Sequence, residues 1–435
     1  MSGMTLDAAV EPADHGLSMR RLQVADRWLG AAMFALLQPW RWWRVLRGTP
    51  RNNGDVLLLK FWGIGSLQLL TPAVAALRRR HPTQRLVFVT LAENEAFARA
   101  LGVFDEVQTL DVKVGSGLGG WARLVVRILR LVRQLRAARY ASVYDFEFFT
   151  RFSAFVTLVC GAPDSHGFSA PGVWRGGFHQ RTTPFNRYWH VARNFRALAG
   201  GETGSDVRIE EVAPCPIDDA ARQRLQVRLE TALVSSPLVV VNANAGRLSL
   251  ERRWPAARFA ELARRLADED GATVVLIGAP SERSYVAAVR ALIGEVRHGC
   301  VLDWSGALPF DEFLALLAQA DAVVSNDSGP MHLAAGMGTP TIGLFGPETP
   351  VLYGPLGPRA HALWKPVVCS PCINVHNNKQ VTCWRGTPEC LTGISTEEVL
   401  AETRVLLAGG VLQPAIALPR RSGLRVLPGH RVGAL

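Results

Sequence analysis

The stretch "VVSNDSGPMHLAAGMGTPTIGLFGPETP", residues 323–350, decides the fold. An apolar run ends in a polar glycine turn, a short helical stretch follows, and a second apolar run ends in a second Gly-Pro turn. That order is strand, turn, helix, strand, and a parallel sheet built this way receives ligands outside the carboxyl ends of its strands. Asn326 and Asp327 then stand at the carboxyl edge of the first strand, and Ser328-Gly329-Pro330 opens the helix. The free N–H groups and positive dipole end of such a helix can hold a phosphate. Gly329 lets the backbone come close to it, and His332, one turn in, can point back at the same anion. A cap of this composition also serves helix stability alone.

The same alternation runs outward in both directions. Towards the C-terminal end, "PLVVVNA" (237–243), "ATVVLIG" (272–278), "DAVVSND" (321–327) and "TPTIGLFG" (339–346) read as buried strands separated by helices. An earlier series, "DVLLLKF" (55–61), "RLVFVTL" (85–91), "EVQTL" (106–110) and "SVYDF" (142–146), has the same character. Between them residues 201–236 are rich in Gly, Pro and acids and fit a linker plus a helix. The expectation is an α/β chain of two doubly wound Rossmann-like domains facing across a cleft. Its parts are an N-terminal extension (1–54), a first domain (55–200), the linker (201–236), a second domain (237–410) and a basic tail (411–435).

Forty-eight Lys and Arg against 37 Asp and Glu leave the 435 residues with a formal charge of +11. That excess favours an anionic partner: phosphate groups, an acidic membrane surface or nucleic acid. No helix-turn-helix, zinc-finger or RNA-recognition signature accompanies the arginines, which argues against nucleic acid. Seven cysteines are too few for a disulfide scaffold, and the polar start carries no cleavable signal, so a reducing cytoplasm is expected. The segment "RWLGAAMFALLQPWRWWRVLR" (27–47) is too short an apolar run to span a bilayer. Trp28, Trp40, Trp42 and Trp43 among Arg41, Arg44 and Arg47 suit a helix lying at a lipid interface, or one packed on the body of the protein. In "WARLVVRILRLVRQLRAAR" (121–139), Leu124, Val125, Ile128, Leu131, Val132 and Leu135 form one face. Any surface helix of an α/β domain looks like this.

Cys369, Cys372, Cys383 and Cys390, in "CSPCINVHNNKQVTCWRGTPEC", make a CxxC knuckle followed by two further thiols. Four thiolates fit a tetrahedral zinc or iron, and four sulfur ligands leave no position for a substrate, so such a metal would be structural. Free thiols or a redox pair are the alternatives. Cys160, Cys215 and Cys300 sit in or beside apolar runs and read as ordinary thiols.

Several segments together resemble glycosyltransferase family 9, the heptosyltransferases of bacterial surface glycans. They are "LLLKFWGIGSLQLLTPAVAALRRRHP" (57–82), "YDFEFF" (144–149), "VCGAPDSHGF" (159–168), "ERRWPAARFAELARRL" (251–266) and the stretch quoted first. The resemblance runs from about residue 55 to 405. It implies a GT-B-like fold, a nucleotide-sugar donor such as ADP-heptose held mainly by the second domain, and an inverting transfer with no catalytic metal. It also implies a glycan, lipid-linked or protein acceptor and a place on the inner face of the cytoplasmic membrane. By the same resemblance Asp327, Ser328, Gly329 and His332 cradle the diphosphate and sugar, joined by Arg252. Glu282 falls near the nucleoside ribose, and Asn244 and Gly246 line the phosphates. One position departs. Where the family commonly has Gly-x-Gly-Asp with the Asp as general base, this chain reads "GIGS", and the Ser66 hydroxyl cannot take a proton unaided at neutral pH. Either another carboxylate serves, with Asp145 and Glu147 the nearest, or the acceptor differs, or the chain is a non-catalytic nucleotide-sugar-binding homologue.

Overall fold

The computed structural model describes residues 34–39, 42, 54–114, 117–201, 212–234, 236–246, 249–373 and 382–412. Most of the N-terminal extension, part of the linker and nearly all of the basic tail lie outside the described residues, so the expected interfacial helix 27–47 does too, except for a few of its residues.

Two six-stranded sheets form the frame, with strand orders β3-β2-β1-β4-β5-β6 and β12-β11-β10-β7-β8-β9. In the first, β1 (Val56–Leu59), β2 (Leu86–Leu91), β3 (Glu106–Leu110), β4 (Ser142–Asp145), β5 (Asp164–Ser169) and β6 (Arg181–Pro184) are parallel throughout. The second is parallel as well: β7 (Leu238–Asn242), β8 (Thr273–Leu276), β9 (Cys300–Asp303), β10 (Ala322–Asn326), β11 (Thr341–Phe345) and β12 (Ala360–Trp364).

Central strands such as VLLL and AVVSN are wholly buried because helices cover both faces. Alternation divides their side chains. Val56 and Leu58 pack with Leu67, Leu70 and Phe195 on one side of the first sheet, whereas Leu57 and Leu59 pack with Leu131, Leu135 and Val156 on the other. The edge strands β6, β9 and β12 escape the sequence reading for the same physical reason, and β5 (DSHGFS) escapes it because few of its residues are apolar. β6 (RTTP) is mostly exposed and β12 (AHALW) is half-covered, so neither needs a continuous apolar run.

The order of strands reverses between β1 and β4 in the first sheet and between β7 and β10 in the second. At each reversal the connecting loops diverge and leave a crevice at the carboxyl ends. The residues after β1 and β4 therefore stand opposite those after β7 and β10.

The helix Asp219–Thr231, expected in the linker, is fixed to the second half rather than free. Arg224 reaches Asp311 and Glu312, and Arg228 reaches Glu312, across to the helix Phe310–Gln319. Between the halves, the helices Ile64–Arg80 and Gly329–Gly336 meet through glycines. A Cβ on Gly65 would lie 2.5 Å from the His332 ring, and one on Gly329 would lie 2.4 Å from the Ile64 side chain. Only glycine permits this approach.

Candidate active site

On the second half, β10 delivers Asp327 to the carboxyl edge, where its backbone N–H is held by the Leu344 carbonyl at 3.1 Å. Arg252 comes in from the short turn Leu250–Arg252 and donates to the Asp327 carbonyl at 2.8 Å and to its carboxylate at 3.2 Å. Both side chains are buried, and Arg252 also donates to the Ala245 carbonyl. The guanidinium thus ties the loop after β7 to the loop after β10. Asn326 adds a second tie, donating to the Ala243 carbonyl and accepting from the Trp254 backbone. Trp254 in turn donates its ring N–H to the Ile394 carbonyl.

Ser328 is the N-cap of the helix Gly329–Gly336, yet its hydroxyl makes no capping bond. It accepts from Asn242 at 2.8 Å and donates to the Asn326 carbonyl. The N-terminal N–H groups of that helix are therefore left without a side-chain cap, as an anion site requires. Asn244 is buried beside them. Its carboxamide oxygen accepts no hydrogen bond among the described residues. Gly246 has φ of 69°, a left-handed turn that glycine adopts without strain. Glu282 closes the short turn Pro280–Glu282 beyond β8, where it and Asn244 both flank Gly278, and its carboxylate accepts from the Ala279 N–H at 2.8 Å.

On the first half the two acids at and just beyond the end of β4 part company. Asp145 is 0% exposed. One carboxylate oxygen receives Arg175 at 2.5 Å and His179 at 2.9 Å, and the other receives the Glu147 N–H. Burial alone would raise this carboxyl, but Arg175 and the His179 hydrogen bond more than offset it and hold it below the usual carboxylate range. Asp145 is thus engaged by Arg175 and His179, whereas Glu147, also buried, is held by other partners. Glu147 lies at the reversal of the sheet, where one oxygen accepts from Lys60 at 3.0 Å and from the backbone N–H groups of Phe61 and Trp62. Lys60 also donates to the Trp62 carbonyl at 2.6 Å. Phe149, two residues on, has φ of 84°, an outlier for a bulky side chain and a sign of strain in this turn. Ser66 sits in the first turn of the helix Ile64–Arg80, directly after the Gly65 that touches His332.

Tyr353 shows how the two halves converge. Its phenol is pushed well above its ordinary value, first by burial and then by the carboxylates of Glu348, Asp327 and Glu147, with Arg252 opposing. One phenol thus senses acids from both halves. Glu348 is itself buried, after β11 in "GPETP". Sequence reading missed Lys60, Glu348 and Tyr353. The Gly-Pro turn behind β11 was visible, but nothing in spacing tied it to Glu147.

The four C-terminal thiols gather below this site. Cys369, Cys372, Cys383 and Cys390 line one small cavity of about 20 Å³ together with Pro347 and Trp384. The Cys390 thiol is pushed up to about 11 by burial and then by Cys372. Among the described residues, no three His, Cys, Asp or Glu side chains stand in an arrangement that could hold a metal ion. The segment does grip the site from beneath, because the Cys372 and Ile373 N–H groups donate to the Pro347 carbonyl, one residue before Glu348.

Over 156 residues the chain is 31% identical to lipopolysaccharide heptosyltransferase 2 of Escherichia coli K12, covering 36% of this chain and 43% of that protein. The matched stretch is thus less than half the length of that relative. The solved structure of E. coli ADP-heptose lps heptosyltransferase II superposes with a TM-score of 0.64 at 21% identity, covering 82% of this chain and 99% of the other. A dodecameric iron-containing heptosyltransferase, TibC of enterotoxigenic E. coli, in complex with ADP-D-beta-D-heptose, gives 0.50 at 14% identity, covering 83% and 78%. These likenesses establish the two-sheet architecture as the GT-B fold. The profile of glycosyltransferase family 9 (heptosyltransferase) matches residues 128–382, more than half of the sequence, and the chain belongs to that family.

Proposed function

We propose that the protein is an inverting glycosyltransferase of bacterial surface glycan assembly, moving a heptose from ADP-heptose to a lipid-linked or protein acceptor at the inner face of the cytoplasmic membrane. The observation that carries this reading is the Arg252–Asp327 pair beside the uncapped helix end at Ser328-Gly329, facing Gly65 across the cleft. Arg252 and the helix end take up charge on the leaving diphosphate. The acceptor oxygen bonds to the anomeric carbon as the bond to the diphosphate breaks. Glu147 receives the acceptor proton, held in place by Lys60 and two backbone N–H groups. Asp145 is a positioning residue that braces the Glu147 turn.

The donor is tested by thermal unfolding with ADP-heptose, ADP and UDP-sugars. ADP-heptose at a hundredfold excess over Kd stabilises the native state by about 2.7 kcal/mol, and ADP-heptose shifts Tm more than any UDP-sugar. A shift with UDP-sugars alone sinks the donor assignment. A non-catalytic homologue is the second reading, favoured by Ser66. It predicts the same shift without turnover.

A structural zinc or iron at Cys369, Cys372, Cys383 and Cys390 requires these thiols, which line one cavity, to draw closer together than they stand here, and the iron-containing neighbour makes iron the first metal to look for. About one metal per chain is expected in purified protein, and Cys372→Ser lowers both metal content and Tm. A metal-free protein of unchanged Tm sinks it.

A further inference from the structure

The helix Gly117–Ala138 buries Leu124, Leu131 and Leu135 against the first sheet, as its pattern demands. Val125, expected on that inner face, points elsewhere. Trp121, Val125 and Leu129 recur at every fourth position and remain 46%, 51% and 55% exposed, with Val126 beside them at 53%. A helix packed on a soluble domain carries polar side chains there, and clustered exposed apolar groups mark an interaction surface. The helix has five arginines, at 123, 127, 130, 133 and 136, and no acid. Arg127 turns back to Asp111 at 3.2 Å, while Arg123, Arg130 and Arg133 are exposed.

We propose that this face of the helix Gly117–Ala138 docks on an anionic bilayer surface, with Trp121, Val125, Val126 and Leu129 entering the interface and the arginines meeting lipid phosphates. Among the described residues, no helix is long and apolar enough to cross a membrane, so the helix lies on the bilayer. A second copy of the chain is the poorer occupant, because it would bring one arginine-rich, acid-free helix against another. Lipid phosphates offer the complementary charge.

Two further observations fix the direction of docking. The helix begins after β3 has reached the carboxyl edge of its sheet, the edge that carries Lys60 and Glu147, and Trp62 from the loop after β1 packs in the same apolar cluster. The neighbouring helix Arg151–Cys160 shares that cluster and carries Phe34 on its far side, with Leu36 81% and Trp174 49% exposed nearby. Docking therefore sets the mouth of the cleft at headgroup level, where a lipid-linked acceptor presents its hydroxyl. This deepens the acceptor reading and rests on it only for that last step, because vesicle binding is measured without turnover.

The test uses the full chain and vesicles of phosphatidylcholine with and without phosphatidylglycerol, read by co-sedimentation. The triple variant Trp121→Ser, Val125→Ser, Leu129→Ser and the triple variant Arg123→Gln, Arg130→Gln, Arg133→Gln each lower partitioning onto anionic vesicles by at least about tenfold. Tm and the ADP-heptose-induced shift stay unchanged, and parent binding weakens with salt. The arginine variant alters only exposed side chains, so it decides the matter even where the apolar one folds poorly. Parent-like partitioning by the arginine variant overturns the proposal. So does parent-like partitioning by a folded apolar variant, or a dimer in sedimentation equilibrium that the apolar variant dissolves.

Discussion

Glu147→Gln lowers kcat by about a hundred- to ten-thousand-fold, the usual worth of general-base assistance, and leaves the Kd for donor nearly unchanged. The substitution isolates proton transfer, because an amide oxygen still accepts from Lys60, Phe61 and Trp62 and keeps the loop after β1 in place. Ser66→Ala is mild, since the hydroxyl is no base. Asp145→Asn behaves differently again. It weakens a fully buried contact with Arg175 and His179, so its main effect is on stability, with kcat recovering as temperature is lowered. Steady-state and single-turnover rates with a confirmed donor decide the assignment, and parent-like turnover in Glu147→Gln removes Glu147 from the chemistry.

Asp327→Ala abolishes the donor-induced thermal shift and also destabilises the chain by about 3–5 kcal/mol, the cost of leaving one member of a buried ion pair alone. Asp327 stands in a polar glycine turn at the carboxyl edge of a strand, a place that does not announce this structural role. In the structure it is 5% exposed and its partner Arg252 8% exposed, and Arg252 also spans to the Ala245 carbonyl. Asp327→Asn, which keeps an acceptor for Arg252, loses less stability while still weakening donor binding. Arg252→Ala resembles Asp327→Ala in both readouts. Urea unfolding and calorimetric titration with ADP-heptose separate the two effects. An Asp327→Ala protein as stable as the parent shows that the pair does not hold the two loops together.

Legibility in the sequence followed burial. β1, β4, β7 and β10 are covered on both faces, so their apolar runs announced them, and with them came the two sheet reversals that place the cleft. β6 and β9 lie at the sheet edges, where a half-solvated strand reads like a loop. The donor motif was legible because Asp327, Ser328, Gly329 and His332 are close in sequence as well as in space. Asp145 and Glu147 were not separable, since two residues of chain say nothing of which carboxylate meets Arg175 and which meets Lys60. Nor could periodicity show that Val125 would stand outside the core, because the helix Gly117–Ala138 is apolar over more of its circumference than the sheet covers.

The reversal of strand order also governs how the chain can be made. β1 pairs with β4, and Lys60 meets Glu147 across 87 residues of sequence. As the chain leaves the ribosome, β1 can pair with β2, but one edge stays open and Lys60 stays unmatched until β4 has emerged. The second half repeats the schedule, with β7 waiting for β10 and Arg252 waiting 75 residues for Asp327. Catalytic competence and completion of the fold thus coincide. A stalled or truncated nascent chain carries bare strand edges and no assembled cleft, which makes it a target for chaperones before it can meet a donor.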